Sequence, residues 1–125
     1  MTLLGIDYGA KKVGLAIAEG TVATPLRVVR YATRRELRDA IRHTCDDYDV
    51  RTIVVGVPRD HAAVEEFVAW LRREMTTPVV TEDERLTTVF AKRLMRDWKG
   101  KADDDAIAAA LILQSYVERV GKRPR

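Results

Sequence analysis

At 125 residues and 14.2 kDa, with 46% hydrophobic and 33% charged residues, the chain has room for one compact domain and not for two. Roughly two-thirds of an extended chain of this size can be buried, so no disulfide or structural metal is needed. The single Cys45 has no partner within the chain, and no segment approaches the ~18 apolar residues of a membrane span; the expectation is a cytoplasmic protein without membrane association. The net charge is only +3, yet sixteen of the 22 cations are arginine, whose flat guanidinium grips phosphate through two parallel hydrogen bonds. Arginines that merely solvate helix faces give the same composition, so a polyanionic partner has to be argued from sites.

Three strand-like stretches come first: Thr2 to Asp7, short and apolar; Val13 to Ala18, small and branched; and Ala23 to Tyr31, with partial alternation. Turn-sized gaps separate them, which predicts an antiparallel meander. From Arg34 to Tyr48 the pattern turns helical, with Leu37, Ile41 and Cys45 every four residues and Thr33 placed to cap. Arg51 to Pro58 is a β-branched run suited to a parallel strand covered on both faces. Ala62 to Met75 carries Val64, Phe67, Val68 and Leu71 at helical spacing, and Pro78 to Thr81 gives a last short strand. A helix capped by Thr87 or Thr88 should run to about Trp98 and end at Gly100, and a final helix should span Asp104 to Val120. The domain is expected over residues 1–120, with 121–125 as a basic C-terminal tail.

Three acidic places could carry chemistry. Asp7 ends an apolar strand, where a carboxylate needs a cation or hydrogen bonds to offset desolvation; acceptance of backbone N–H groups from the following turn is the simpler alternative. Thr81-Glu82-Asp83-Glu84-Arg85 lies where the last strand meets a helix, the end of a sheet at which open α/β folds bind ligands. There Glu82 and Asp83 read as a solvated loop, while Glu84 precedes a cation and two capping hydroxyls. In Asp103-Asp104-Asp105 one residue suffices to cap the last helix. Counting by three and four from Asp105 reaches Ala108, Ala109 and Ile112, so Asp105 should point inward and Asp103 and Asp104 stay wet.

Three carboxylates from separate regions make a hard-oxygen site for Mg²⁺ or Mn²⁺. One cysteine and two histidines without metal-ligand spacing give no zinc site. His43 is expected to decorate the first helix; His61 falls beside the carboxyl end of a strand. No serine lies in a strand-to-helix elbow, and Cys45 reads as a core residue, so a covalent nucleophile is not expected.

Ile6-Asp7-Tyr8-Gly9 with Lys12-Val13-Gly14-Leu15-Ala16, then Val54-Val55-Gly56-Val57-Pro58, then Asp83-Glu84-Arg85-Leu86-Thr87-Thr88, and finally Asp105 before Ala109 to Tyr116 together resemble the YqgF/RuvX family of ribonuclease H-like nucleases. The blocks occur in the family's order and span nearly the whole chain. The resemblance implies an α/β, ribonuclease H-like fold: a five-stranded mixed sheet, its first three strands antiparallel, with helices on both faces. It implies a catalytic, metal-holding trio of Asp7, Glu84 and Asp105 serving a two-metal site for Mg²⁺ or Mn²⁺. Phosphodiester hydrolysis would follow, with Lys11, Lys12 and Arg85 holding backbone phosphates. The partner would be nucleic acid: the 5′ end of pre-16S rRNA, a precursor rRNA, or a branched DNA junction, the latter favouring a homodimer that cuts two symmetric strands. The chain departs from the family after Pro58, where a longer loop with an Asp-Gly pair is replaced by Arg59-Asp60-His61; no contact is transferred to Asp60. Two rivals come from other classes. A kinase-like ATP site would need a second such domain, and a ribosome-assembly factor would bind without cutting.

Overall fold

The computed structural model describes residues 1–58, 62–84 and 89–121. Strands β1 (Thr2–Asp7), β2 (Lys12–Ala18) and β3 (Ala23–Arg30) precede helix α1 (Arg34–Tyr48). Strand β4 (Val50–Val57), helix α2 (Ala62–Glu74), strand β5 (Val79–Asp83) and helices α3 (Val89–Trp98) and α4 (Asp104–Gly121) complete the chain. The strands form one sheet in the order β3-β2-β1-β4-β5. β1–β2 and β2–β3 pair antiparallel, whereas β1–β4 and β4–β5 pair parallel. This is the expected five-stranded mixed sheet opened by a meander.

The period of two along each strand divides the core into two unlike layers. One face carries large side chains, among them Leu4, Ile6, Val13, Leu15, Ile53 and Val55, packed on Leu37 and Ile41 of α1 and Phe67 and Leu71 of α2. The other carries small ones, Ala16, Ala18 and Val54, covered by Ile107, Ala109, Ala110, Ile112 and Leu113 of α4. Glycines thin that second face further. A methyl group built on Gly14 would overlap the carbonyl oxygen of Asp105, and one on Gly5 would stand 2.8 Å from the carbonyl oxygen of Ala109. The first half of α4 therefore lies almost on the backbone of β1 and β2, a closeness only glycine permits.

Local signals set the boundaries. Thr33 Oγ1 accepts the Glu36 N–H at 3.2 Å, and Glu36 Oε1 accepts the Thr33 N–H at 3.0 Å, a reciprocal cap that starts α1. Gly100, at φ +80°, turns the chain between α3 and α4. Asp103 Oδ1 accepts the Asp105 N–H at 3.1 Å and opens α4. Gln114 pins the β2–β3 turn to α4: its Oε1 accepts the Ala23 N–H at 2.8 Å and its Nε2 donates to the Thr21 carbonyl at 3.0 Å.

Several expected boundaries move by a residue, and one by two. β5 continues two residues past Thr81, because Gly56 and Val57 of β4 remain available to pair with Glu82 and Asp83. α4 takes in Gly121; residues 122–125, with Thr87 and Thr88, lie outside the described residues. Among the described residues no helix is long and apolar enough to cross a membrane.

Gly14→Ala should lift the start of α4 from the sheet. Urea denaturation should show a loss of about 1–3 kcal/mol, the usual cost of forcing a methyl group into a packed contact, and an unchanged midpoint would refute the close approach.

Candidate active site

Asp7 ends β1 on the thin face of the sheet. Its cross-strand partner is Gly14, and on the other flank Gly56 follows Val55, the β4 partner of Ile6. A carboxylate between two glycines is left uncovered by its own sheet. What reaches it comes from chain regions remote in sequence. The Glu84 N–H donates to the Val57 carbonyl at 3.3 Å, which hangs the chain leaving β5 on β4. Its side chain turns over the sheet, where a Cβ on Gly56 would stand 2.8 Å from Glu84 Oε1 and would strike Ile112. Asp105 arrives from above on the first turn of α4, seated by Gly14. Asp7 and Glu84, two of the three acids that the sequence singles out, thus come together at the carboxyl end of β1, with Asp105 near enough for its charge to act on Asp7.

Their charges are felt. The Asp7 carboxyl is pushed up from its ordinary 3.8 to about 6, first by burial, then by repulsion from Glu84 and from Asp105, and by a hydrogen bond with the Glu84 carboxyl. Asp105 is nevertheless held to one side: its Oδ2 takes the Lys12 ammonium at 2.7 Å, with both side chains about one-third exposed or more. Among the described residues no three acids, histidines or cysteines already close around one point as a metal cage. The donor set still fits a divalent cation, because the buried Asp7 carboxyl, crowded by neighbouring acids, is relieved by a hard cation in the proton's place.

Around the trio, Lys11 is exposed in the turn after β1. An open groove of about 760 Å³ runs past Asp105, lined by Lys12, Lys101 and the Asp103–Asp105 run. Asp103 caps α4 and Asp104 is exposed, as expected. Arg85 and His61 lie outside the described residues. His43 is exposed on α1, 3.2 Å from Asp47, and Cys45 is buried with its thiol pushed up to about 11 mainly by desolvation, so neither approaches the site.

Glu82 corrects the sequence reading. It is 6% exposed, not solvated: Arg119 Nη2 and Nε donate to its Oε1 at 2.7 and 3.0 Å, and Ser115 Oγ to its Oε2 at 3.0 Å. The extension of β5 turns it onto the α4 face, where Ser115 and Arg119, four residues apart on the helix, meet it. The sequence reading also missed the anchoring of the turn after Asp7. Tyr8 points to the opposite face, as alternation requires, and stacks on Phe67 with centroids 4.1 Å apart. Arg34 donates to the Tyr8 hydroxyl at 3.3 Å while pairing with Glu66 at 2.7 Å. Tyr31 Oη donates to the Gly9 carbonyl at 2.5 Å.

The fold is that of RuvC-like Holliday junction resolvases. Thermus thermophilus RuvC in complex with a Holliday junction substrate matches 97% of this chain and 96% of its own, with a TM-score of 0.65 at 16% identity. The Fowlpox virus resolvase bound to junction DNA matches 98% and 100%, with a TM-score of 0.62 at 15% identity. The sequence profile described as RuvX, Holliday junction resolvase, covers residues 1–119, and the chain belongs to this YqgF/RuvX family of nucleases. A Koribacter versatilis protein is 35% identical over 95% of this chain and 88% of its own length, and one from Halothermothrix orenii is 32% identical over 98% of each. Both are named, provisionally, as pre-16S rRNA nucleases.

Two outcomes test this geometry. Arg119→Ala leaves the buried Glu82 carboxylate without its cation and should cost about 2 kcal/mol in urea melts, whereas an exposed pair would cost under about 1. For Asp7 the sign is the reverse of a paired acid: because the folded state holds its proton up to about pH 6, its ionisation erodes stability as pH rises from about 4 to about 6. Asp7→Asn should therefore melt above the native protein at pH 7.5, by roughly 1–2 kcal/mol once solvent screening is allowed for, and the gap should close near pH 4. A gap independent of pH would contradict the crowding of the acids.

Proposed function

We propose that this protein is a divalent-metal-dependent nuclease that trims the 5′ end of pre-16S rRNA during ribosome biogenesis, acting in the cytoplasm as a single domain over residues 1–120. Asp7, Glu84 and Asp105 are its catalytic and metal-holding residues. The observation that carries this reading is the convergence of three acids on the carboxyl end of β1, with the Asp7 carboxyl raised to about 6 by burial and by the other two. Mg²⁺ or Mn²⁺ ions bound among them would activate a water as nucleophile and stabilise the leaving oxygen of the phosphodiester.

The chain's own residues prepare that chemistry. Gly14 and Gly56 let the Asp105 backbone and the Glu84 side chain come down beside Asp7. The proton that the Asp7 carboxyl holds up to about pH 6 would be displaced by a cation bound among these acids. Lys12 steers the Asp105 carboxylate and, with Lys11 and Arg85, supplies positive charge for the backbone phosphates on either side of the cut. With only 6% aromatic residues, recognition rests on backbone shape and charge more than on base stacking.

A second reading, cleavage of branched DNA, is favoured by the fold shared with resolvases; it requires a homodimer presenting two sites. One comparison separates the readings: Mn²⁺-dependent cleavage of a pre-16S rRNA fragment and of a four-way DNA junction by the native protein, Asp7→Asn and Asp105→Asn. The native protein should cut the RNA, and each variant should be slower by about 100-fold or more, the scale at which a positioned acid or base contributes. Cutting of the junction alone would select the resolvase. Binding without cutting would make the protein an assembly factor, and equal cutting by Asp7→Asn would overturn the assignment of the site.

A further inference from the structure

Arg30 is the last residue of β3 and the cross-strand partner of Lys12. Directly opposed residues of an antiparallel pair leave the sheet on the same face, so Arg30 stands beside Lys12 on the face that carries Asp7 and α4. Like charges placed so are unfavourable unless anions meet them. Asp105 meets Lys12 at 2.7 Å. Arg30 is exposed and, among the described residues, forms no ion pair. Lys11 is exposed next to it and likewise forms no ion pair among the described residues. The Tyr31 N–H donates to the Lys11 carbonyl at 3.1 Å, which ties the turn bearing Lys11 to the end of β3. Arg30 is thus fixed beside Lys12 at one rim of the acidic site, with the turn that carries Lys11 tied to the same strand end, and among the described residues no anion meets it.

We propose that Arg30, together with Lys11, is a phosphate-binding rim that guides the nucleic acid backbone into the site. The inference rests on the nuclease reading and extends it, because the sequence marks Arg30 only as a strand residue and the β2–β3 register alone brings it to the acids. The guanidinium presents two parallel N–H groups to two phosphate oxygens, a match an ammonium cannot make. Such contacts set the register of the strand and carry no base information, so RNA and branched DNA should depend on Arg30 alike.

The test uses Asp7→Asn as parent, so that binding is read without cutting, with fluorescein-labelled pre-16S rRNA fragment and four-way DNA junction as probes in anisotropy titrations across a salt series. Adding Arg30→Gln should weaken both probes about ten-fold and lower the slope of log affinity against log salt by about 1. Adding Arg30→Lys should restore the slope but not the full affinity. Arg51→Gln, at the opposite end of the sheet, should change neither, and unchanged melting of all variants establishes that folding is intact. Parent-like affinity and slope with Arg30→Gln would overturn the rim, as would loss of only one probe. If the native protein still cuts with Mn²⁺ in that case, the nuclease reading stands without the rim; a parent that binds neither probe removes both.

Discussion

The distance between α4 and the sheet governs the carboxyl end of this molecule. A helix normally rests on a sheet through side chains; here Gly5 and Gly14 remove them, and the carbonyls of Asp105 and Ala109 come down to the strand backbone. That closeness puts the first turn of α4, and so Asp105, over the end of β1. It also leaves α4 dependent on small partners, Ala16, Ala18 and Val54, in contrast to the branched and aromatic packing beneath α1 and α2. Gly56 does the same for Glu84 on the other flank of Asp7. Gly14 and Gly56 of the family's motifs are therefore explained by what must approach them, while Gly9 serves its own turn, where a Cβ would meet the Lys12 carbonyl.

The site so formed is electrostatically frustrated in both signs. Asp7 holds its proton well above the usual carboxylate range because it is buried and because two further acids share its surroundings, and Lys12 and Arg30 are opposed across a ladder with an acid on Lys12 alone. A fold selected for stability alone would separate such groups. A bound cation among the acids and a phosphate against the cations would relieve both, which is the charge pattern of a nuclease with substrate in place. By contrast Glu82, deeper along β5, is fully partnered by Arg119 and Ser115 and belongs to the structural charge pairs of the core.

Much of this was legible beforehand, and for physical reasons. The continuous apolar run of β4, the four-residue repeat of Leu37, Ile41 and Cys45, and the reciprocal cap at Thr33 and Glu36 are local signals that tertiary structure reinforces. The inward direction of Asp105 followed from counting along α4. Register and strand length were not legible. Nothing local in Thr81-Glu82-Asp83 shows that β5 outlasts its apolar residues, since that depends on free pairing positions on β4; by sequence alone Glu82 reads as a loop acid. In the same way Arg30 reads as an ordinary strand residue until β2 and β3 are aligned, and the Tyr8–Arg34–Glu66 anchor joins residues that only the folded chain assembles.

The central claim, that Asp7 shares a cation site with Glu84 and Asp105, is tested most directly by calorimetric titration of Mn²⁺ at pH 6 in two buffers of different ionisation enthalpy. The Asp7 carboxyl is close to half protonated there, so binding should release about half a proton per protein, seen as heats that differ between the buffers, and Asp7→Asn should abolish that difference. Identical heats in both buffers for the native protein, or an undiminished difference in Asp7→Asn, would contradict the account.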